Sequence, residues 1–83
     1  DIEPLTTTET LKITITPTAG VEISNQRWIL VNQVLTNDDL NTISIDLGDY
    51  SGVLSLGDNV LTFYYTCNGV SHTELIHFTI IAN

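Results

Sequence analysis

Hydrophobic and polar residues alternate along much of this chain with a period of two. The stretch LKITITP, residues 11–17, sets aliphatic side chains against Lys12 and threonines, and TISIDLGD, residues 42–49, repeats the pattern. NVLTFYYTC and HTELIHFTIIA, residues 59–67 and 72–82, are the two longest strand-like runs. A period of two is typical of strands with one buried face, so these segments predict β-strands.

The segments between them indicate turns, loops and shorter strands. Residues 17–20 (PTAG) predict a turn, residues 21–36 predict one or two extended pieces, and residues 37–41 (NDDLN) predict a loop. A short strand is expected at residues 53–56. Residues 32–41 are the best helical candidate, with one turn at most, because β-branched residues dominate the chain. Six or seven short strands at this spacing predict an antiparallel sandwich or barrel.

The length of the chain limits it to one small domain. A chain of 83 residues buries about 60–65% of the surface that its unfolded form exposes, which leaves little volume for an enclosed active site. Residues 1–10 are polar, rich in threonine and contain Pro4, so they predict a linker or an irregular edge strand. Residues 11–83 are expected to form the folded domain. Because the chain contains no methionine and opens on an aspartate, we expect a processed protein or a piece of a longer one.

The pair Asn68-Gly69 is the strongest hairpin signal in the sequence. A type I′ turn requires positive φ at both central residues, which this pair tolerates well. The resulting register places the apolar residues of both strands on one face, as a single buried side requires. It pairs Cys67 with Val70, Tyr65 with His72, Phe63 with Glu74, and Leu61 with Ile76.

Residues 65–77 hold the only cysteine and both histidines of the chain, the residue types of metal and nucleophile sites. In the predicted register His72 is diagonal to Cys67 on one face, about 7–8 Å away, whereas His77 points out of the opposite face. Since zinc usually requires four converging ligands, we expect no metal site. No helix N-terminus or neighbouring cation is predicted to activate the thiol, so we expect no catalytic pair, and Cys67 serves as a small apolar residue. Glu74 shares the inner face, so we expect it at the open end of the sandwich, where it avoids burial.

The charge balance excludes two classes of partner. Lys12 and Arg27 are the only basic residues against ten acidic ones, which gives a net charge of −8. Such a surface repels nucleic-acid phosphates and anionic lipids, and it is also an ordinary means of solubility. No apolar run approaches the roughly 20 residues that span a bilayer. The single cysteine cannot form an internal disulfide.

Two binding chemistries are open alternatives. Acidic and amide side chains recur in loops, where calcium could use their oxygens, although the same residues suit turns and no EF-hand pattern is present. Paired carboxylates for glycoside cleavage could be drawn from the same residues, but a chain of 83 residues leaves no room for a substrate cleft. Among the aromatic residues Trp28 is expected in the core, whereas Tyr64 points outward and Tyr50 lies in a loop, a weak signal of sugar binding. The acidic and amide positions are residues 37–39, Asp46, Asp49, Asp58 and Asn59.

Residues 54–81, LSLGDNVLTFYYTCNGVSHTELIHFTII, resemble the last two strands of bacterial immunoglobulin-like or fibronectin-III-like modules. Trp28 would be the core tryptophan that such sandwiches often carry. The chain departs from the family pattern at Val60, where a tyrosine corner is expected, and it lacks the cysteine partner of an antibody-type disulfide. The resemblance implies an all-β, antiparallel immunoglobulin-like sandwich of about seven strands. The residues on the family pattern are Gly57, Asp58, Asn59, Leu61, Phe63, Phe78 and Ile80.

The same resemblance implies a non-catalytic structural or adhesive module of a larger bacterial surface, secreted or phage structural protein. Its role would be spacing, assembly or weak adhesion, and its location extracellular, at the cell surface or on a virion. Its partners would be neighbouring domains or another protein, with cell-surface glycans as a further class. We expect no catalytic, cofactor or metal residues. The alternatives are a carbohydrate-binding module accessory to an enzyme and a calcium-stabilised adhesin repeat.

Overall fold

The computed structural model describes residues 3–36 and 38–82. In this part of the chain the main regular structure is β-strand, with no α-helix and a single 3₁₀ turn at Leu47–Tyr50. Six strands follow one another: β1 (Thr10–Thr14), β2 (Ile23–Leu30), β3 (Gln33–Thr36), β4 (Thr42–Asp46), β5 (Gly57–Cys67) and β6 (Val70–Ile80).

The strands form two antiparallel sheets around one core. The smaller sheet pairs β1 with β4, and the larger one has the order β3-β2-β5-β6. Strands β1 and β4 occupy the positions of strands B and E in an immunoglobulin-like sandwich, while the larger sheet follows the order C′-C-F-G. The predicted all-β antiparallel sandwich is confirmed.

A short N-terminal segment adds a further, irregular strand beside β6. Leu5 forms a parallel bridge with Ile80. The Leu5 amide donates to the Thr79 carbonyl at 2.9 Å, and the Ile81 amide donates to the Leu5 carbonyl at 2.8 Å. With this segment counted, the sandwich has about seven strands and Trp28 lies on the third.

The core joins apolar residues of both sheets. Trp28 is fully buried, as predicted, and its ring centroid lies 4.4 Å from that of Phe63. Replacing a buried residue of this size with alanine typically costs about 3–5 kcal/mol, so these contacts decide whether the two sheets stay together. The buried apolar residues are Leu11, Trp28, Leu30, Ile45, Leu47, Leu61, Phe63, Phe78 and Ile80.

The hairpin of β5 and β6 has the predicted register. Asn68 has φ 52° and Gly69 has φ 77°, as a type I′ turn requires. The pairing continues without a shift from Cys67 opposite Val70 to Gly57 opposite Ile80. Since side chains alternate between faces, one side of the hairpin faces the core.

Two local predictions are wrong. Residues 53–56 do not form a strand, because the amides of Val53 and Leu54 both donate to the Tyr50 carbonyl and close a turn. The helical candidate is also wrong, because Gln33–Thr36 pairs with β2 as strand β3. Asn37, which belongs to the same candidate, lies outside the described residues.

Asn59 closes the corner that leads into β5. Its side chain is 6% exposed. Its Oδ1 accepts from the Ser55 amide at 3.0 Å, and its Nδ2 donates to the carbonyls of Ser55 and Gly57 at 2.7 and 3.1 Å. These bonds fix the corner that leads into β5, so an asparagine side chain closes it.

Replacing Gly69 with alanine tests the turn. A left-handed backbone costs a residue with a Cβ about 1 kcal/mol, and no atom lies within 4 Å of the added Cβ. Gly69→Ala should therefore lower the free energy of unfolding by about 1 kcal/mol through backbone strain alone. Gly52→Ala is the matched control, because Gly52 is equally open and its φ is not positive. Equal urea-unfolding curves for the two variants would contradict the assignment of the turn.

Removing the Asn59 amide tests the corner. Asn59→Ala should lower the free energy of unfolding by about 2–3 kcal/mol, because several bonds are lost and their buried partners are left unsatisfied. Asn32→Ala, at an exposed position of the β2–β3 turn, should change it by less than about 0.5 kcal/mol. Denaturant titration measures both, and a similar stability of the two variants would refute the role given to Asn59.

Candidate functional site

A concave surface lies at the hairpin end of the sandwich. Strands β5 and β6 have 11 residues each, whereas β1 and β4 have 5. The inner face of the hairpin therefore continues beyond the small sheet, where residues of the β1–β2 connection line it. The resulting groove has a volume of about 470 Å³. Its aliphatic lining includes Ile15, Ile23 and Ile76, and its polar lining includes Cys67, His72 and Glu74.

Aromatic rings connect this groove to the core. The Tyr65 ring stacks on Phe63 with centroids 5.5 Å apart and on His72 with centroids 5.0 Å apart. Phe63 in turn contacts Trp28. Because its two ring neighbours cover part of Tyr65, less of its surface is available to stack on a sugar.

The Tyr65 hydroxyl interacts with Glu74 across the hairpin. It donates to the Glu74 Oε1 at 3.4 Å. Partial burial raises the pKa of Tyr65, and the charge of Glu74, the hydrogen bond to it and Cys67 raise this pKa further. Glu74 is exposed at the hairpin end, so the predicted position of this carboxylate at the open end is confirmed.

The soft ligands occupy the two faces that the register predicts. Cys67 and His72 both line the groove, but the hydrogen bonds among the described residues include none between them, and His72 stacks on Tyr65 instead. The Nδ1 of His77 lies 3.1 Å from the Asp58 Oδ2 on the opposite face. Residues 3–36 and 38–82 contain no group of three or more His, Cys, Asp or Glu side chains that could hold a metal ion.

The acidic loop after β3 contacts β2. The Asp39 Oδ1 accepts from the Gln26 amide at 2.8 Å, and the Gln26 side chain donates to the Asn41 Oδ1. The Trp28 indole donates to the Leu40 carbonyl at 2.8 Å. Of the oxygens that suggested calcium, the Asp39 carboxylate therefore holds the loop to β2. Asn37, also predicted as a calcium-type oxygen donor, lies outside the described residues.

A second, smaller groove lies on the outer face of the large sheet. It has a volume of about 280 Å³ and is lined by Asn25, Arg27, Tyr64, Thr66 and Ser71 among others. Sequence reasoning missed it because the β2–β5 register shifts between Ser24 and Arg27. The outward parity of Tyr64 was the only signal for it.

The two tyrosines weighed for sugar binding have different environments. Tyr64 is 39% exposed, as predicted. Tyr50 is half-buried and packs against the core from the 3₁₀ turn, so its prediction as an exposed loop residue is wrong. Only Tyr64 of this pair is a surface aromatic.

The chain matches none of the protein-family models, curated proteins or solved structures compared with it. The resemblance to bacterial immunoglobulin-like modules therefore stays a prediction. In the described part of the chain, no helix has the length and apolar character needed to cross a membrane.

The raised pKa of Tyr65 predicts a dependence of stability on pH. Because the folded-state pKa exceeds the ordinary value of 10.0, the unfolded chain ionises first, and this contribution to stability is lost as the pH rises through the folded-state pKa. Tyr65→Phe should therefore lose less stability than the wild type between about pH 9 and pH 12. Tyr64→Phe, which removes a phenol from an exposed position, is the matched control. In Glu74→Gln the pKa of Tyr65, followed by NMR of its ring carbon, should move down towards its ordinary value.

Proposed function

We propose that the chain is a non-catalytic structural or adhesive module of a larger bacterial surface, secreted or phage structural protein. Its role is spacing, assembly or weak adhesion outside the cell, at the cell surface or on a virion. The observation that carries the proposal is the register of one hairpin, which places Cys67 and His72 on one face and His77 on the other.

The groove chemistry argues against catalysis by this chain. A nucleophile requires a base within hydrogen-bond reach and a third group that orients the base. Cys67 and His72 share the groove, but the imidazole packs against Tyr65 and the Glu74 carboxylate accepts from the Tyr65 hydroxyl. His72 and Glu74, the two groups that a relay from Cys67 would need, thus both contact Tyr65 instead.

The outer groove supports a second candidate function, a carbohydrate-binding module. Tyr64 is exposed beside Arg27, and hydroxyl and amide side chains surround them, a combination that can stack on and bond a sugar. Titration with neutral and acidic monosaccharides, followed by ¹H–¹⁵N NMR of Tyr64 and Thr66, tests this function. Trp28 fluorescence suits the purpose poorly, because Trp28 is fully buried.

The sequence context of the module tests the proposal directly. Tandem copies followed by an anchoring sequence would support a surface stalk, and capsid or tail neighbours would support a virion component. A catalytic domain in the same polypeptide, together with sugar-induced shifts at Tyr64, would favour the carbohydrate-binding alternative instead.

Calcium removal separates the proposal from the adhesin-repeat alternative. A bound ion stabilises the folded state by mass action, and at a hundredfold excess over its Kd it would raise the melting temperature of a domain of this size by about 10 °C or more. We expect melting temperatures in EDTA and in millimolar calcium to agree within about 1 °C, since Asp39 and Asp58 have protein partners. Magnesium at the same concentration is the ionic-strength control. A calcium-specific rise would overturn the expectation.

A further inference from the structure

Strand β6 is paired along its whole length on one side only. All of its 11 residues pair with β5. On its other side, within residues 3–36 and 38–82, the only partner is Leu5, which bonds beside Ile80 at the far end of the strand. The edge of β6 from the hairpin turn to Phe78 is therefore open in the described part of the chain.

The bonds to Leu5 establish which backbone groups point to this edge. In an antiparallel strand the amide and carbonyl of one residue point to the same side, and successive residues alternate. Because the Thr79 carbonyl and the Ile81 amide bond Leu5, the odd-numbered residues of β6 face the edge. The residues with outward amides and carbonyls in the open part are Ser71, Thr73, Leu75 and His77.

This edge carries an inward-pointing charge at Glu74 but lacks most of the other devices that usually prevent strand pairing. Proteins protect exposed edges with proline, lysine, bulges or short strands. Strand β6 contains no proline or lysine, and its pairing with β5 shows no register shift. Leu75, in the middle of the edge, is 60% exposed.

The groove at the hairpin end borders the same edge. His72, Glu74 and Ile76 line it from the inner face of β6, where the short β1–β4 sheet leaves the hairpin uncovered. A strand added to β6 would place alternate side chains beside these residues. Backbone bonds along the edge and a pocket for alternate side chains are the two parts of recognition by strand addition.

The charge of the chain indicates the chemistry of the occupant. The net charge is −8 with two basic residues, and the groove lining contains Glu74 but neither Lys12 nor Arg27. An aliphatic segment with lysine or arginine would complement the surface, whereas an acidic segment or a second copy of this chain would be repelled.

We propose that β6 accepts an extended segment of a partner protein by strand addition. The segment is short, rich in β-branched aliphatic residues and basic, with aliphatic side chains beside Ile76 and a basic side chain beside Glu74. This inference rests on the proposed assembly role and names the class of partner.

The test uses the whole chain with the peptide TKVVTVTK, whose even positions carry lysine, valine, valine and lysine on one face. The peptide TEVVTVTE is the matched acidic control. Amide hydrogen exchange distinguishes the outward amides of β6, at odd-numbered residues, from those bonded to β5, at even-numbered residues. The basic peptide should slow exchange at Ser71, Thr73, Leu75 and His77 and leave the neighbouring even-numbered amides, already bonded to β5, unchanged. The acidic peptide should bind at least about tenfold more weakly. Protection elsewhere, or none at all, overturns the inference.

A proline at the edge separates backbone pairing from charge attraction. Leu75→Pro removes one outward amide without removing a bond to β5, and edge positions tolerate proline. This variant should bind the peptide about tenfold or more weakly, whereas Leu75→Ala should retain most of the binding. If Leu75→Pro does not fold, the wild-type chain is tested with two peptides, one N-methylated at its odd positions and one at its even positions. One of the two should fail to bind, because its methyl groups block the amides that would pair with β6.

Two outcomes assign failure to its cause. Equal binding of all peptides and variants would overturn strand addition. Protection of the same amides without peptide, together with a doubled mass in sedimentation, would also overturn the proposal, because it would identify a second copy of the chain as the occupant. Neither result bears on the proposed module function, because that function is tested by sequence context and calcium dependence.

Discussion

The pairing of β5 with β6 about the Asn68-Gly69 turn is the constraint on which the rest of the structure depends. A slip by one residue would turn β6 over relative to β5, moving Phe78 out of the core and bringing His77 to the inner face. The same register decides the chemistry, because it places Cys67 and His77 on opposite faces. One local turn thus determines both the packing of the sandwich and the dispersal of its reactive groups.

Hydrogen bonds of polar side chains hold several loops to the sheets, beside the small apolar core. The side chains of Gln26, Asn59 and Trp28 each bond backbone or loop atoms, and no buried side-chain nitrogen or oxygen among the described residues lacks a partner. Small domains bury a limited fraction of their surface, so such bonds have a large share in holding loops to sheets. Asparagines and aspartates that resemble ligand positions in the sequence therefore have structural roles at these places.

Local signals predicted the hairpin, the alternation of β1 and β4, and the burial of Trp28, because periodicity and turn chemistry are properties of neighbouring residues. They could not predict the parallel bridge of Leu5 or the bulge between Ser24 and Arg27, since both depend on residues far apart in the chain. The positions of Cys67, His72 and Glu74 followed from the hairpin alone. The groove around them did not, because it results from the unequal lengths of the two sheets and the path of the β1–β2 connection.

The parallel bridge at Leu5 has a mechanical consequence. Because Leu5 and Ile80 run in the same direction, tension applied through residues 3 and 82 would pull the two neighbouring segments in opposite directions along their length. The bonds of Leu5 to Thr79 and Ile81 would then bear the load together, in shear, rather than opening one after the other like a zipper. With only two such bonds, this clasp would yield first under force, while the long hairpin behind it stays intact.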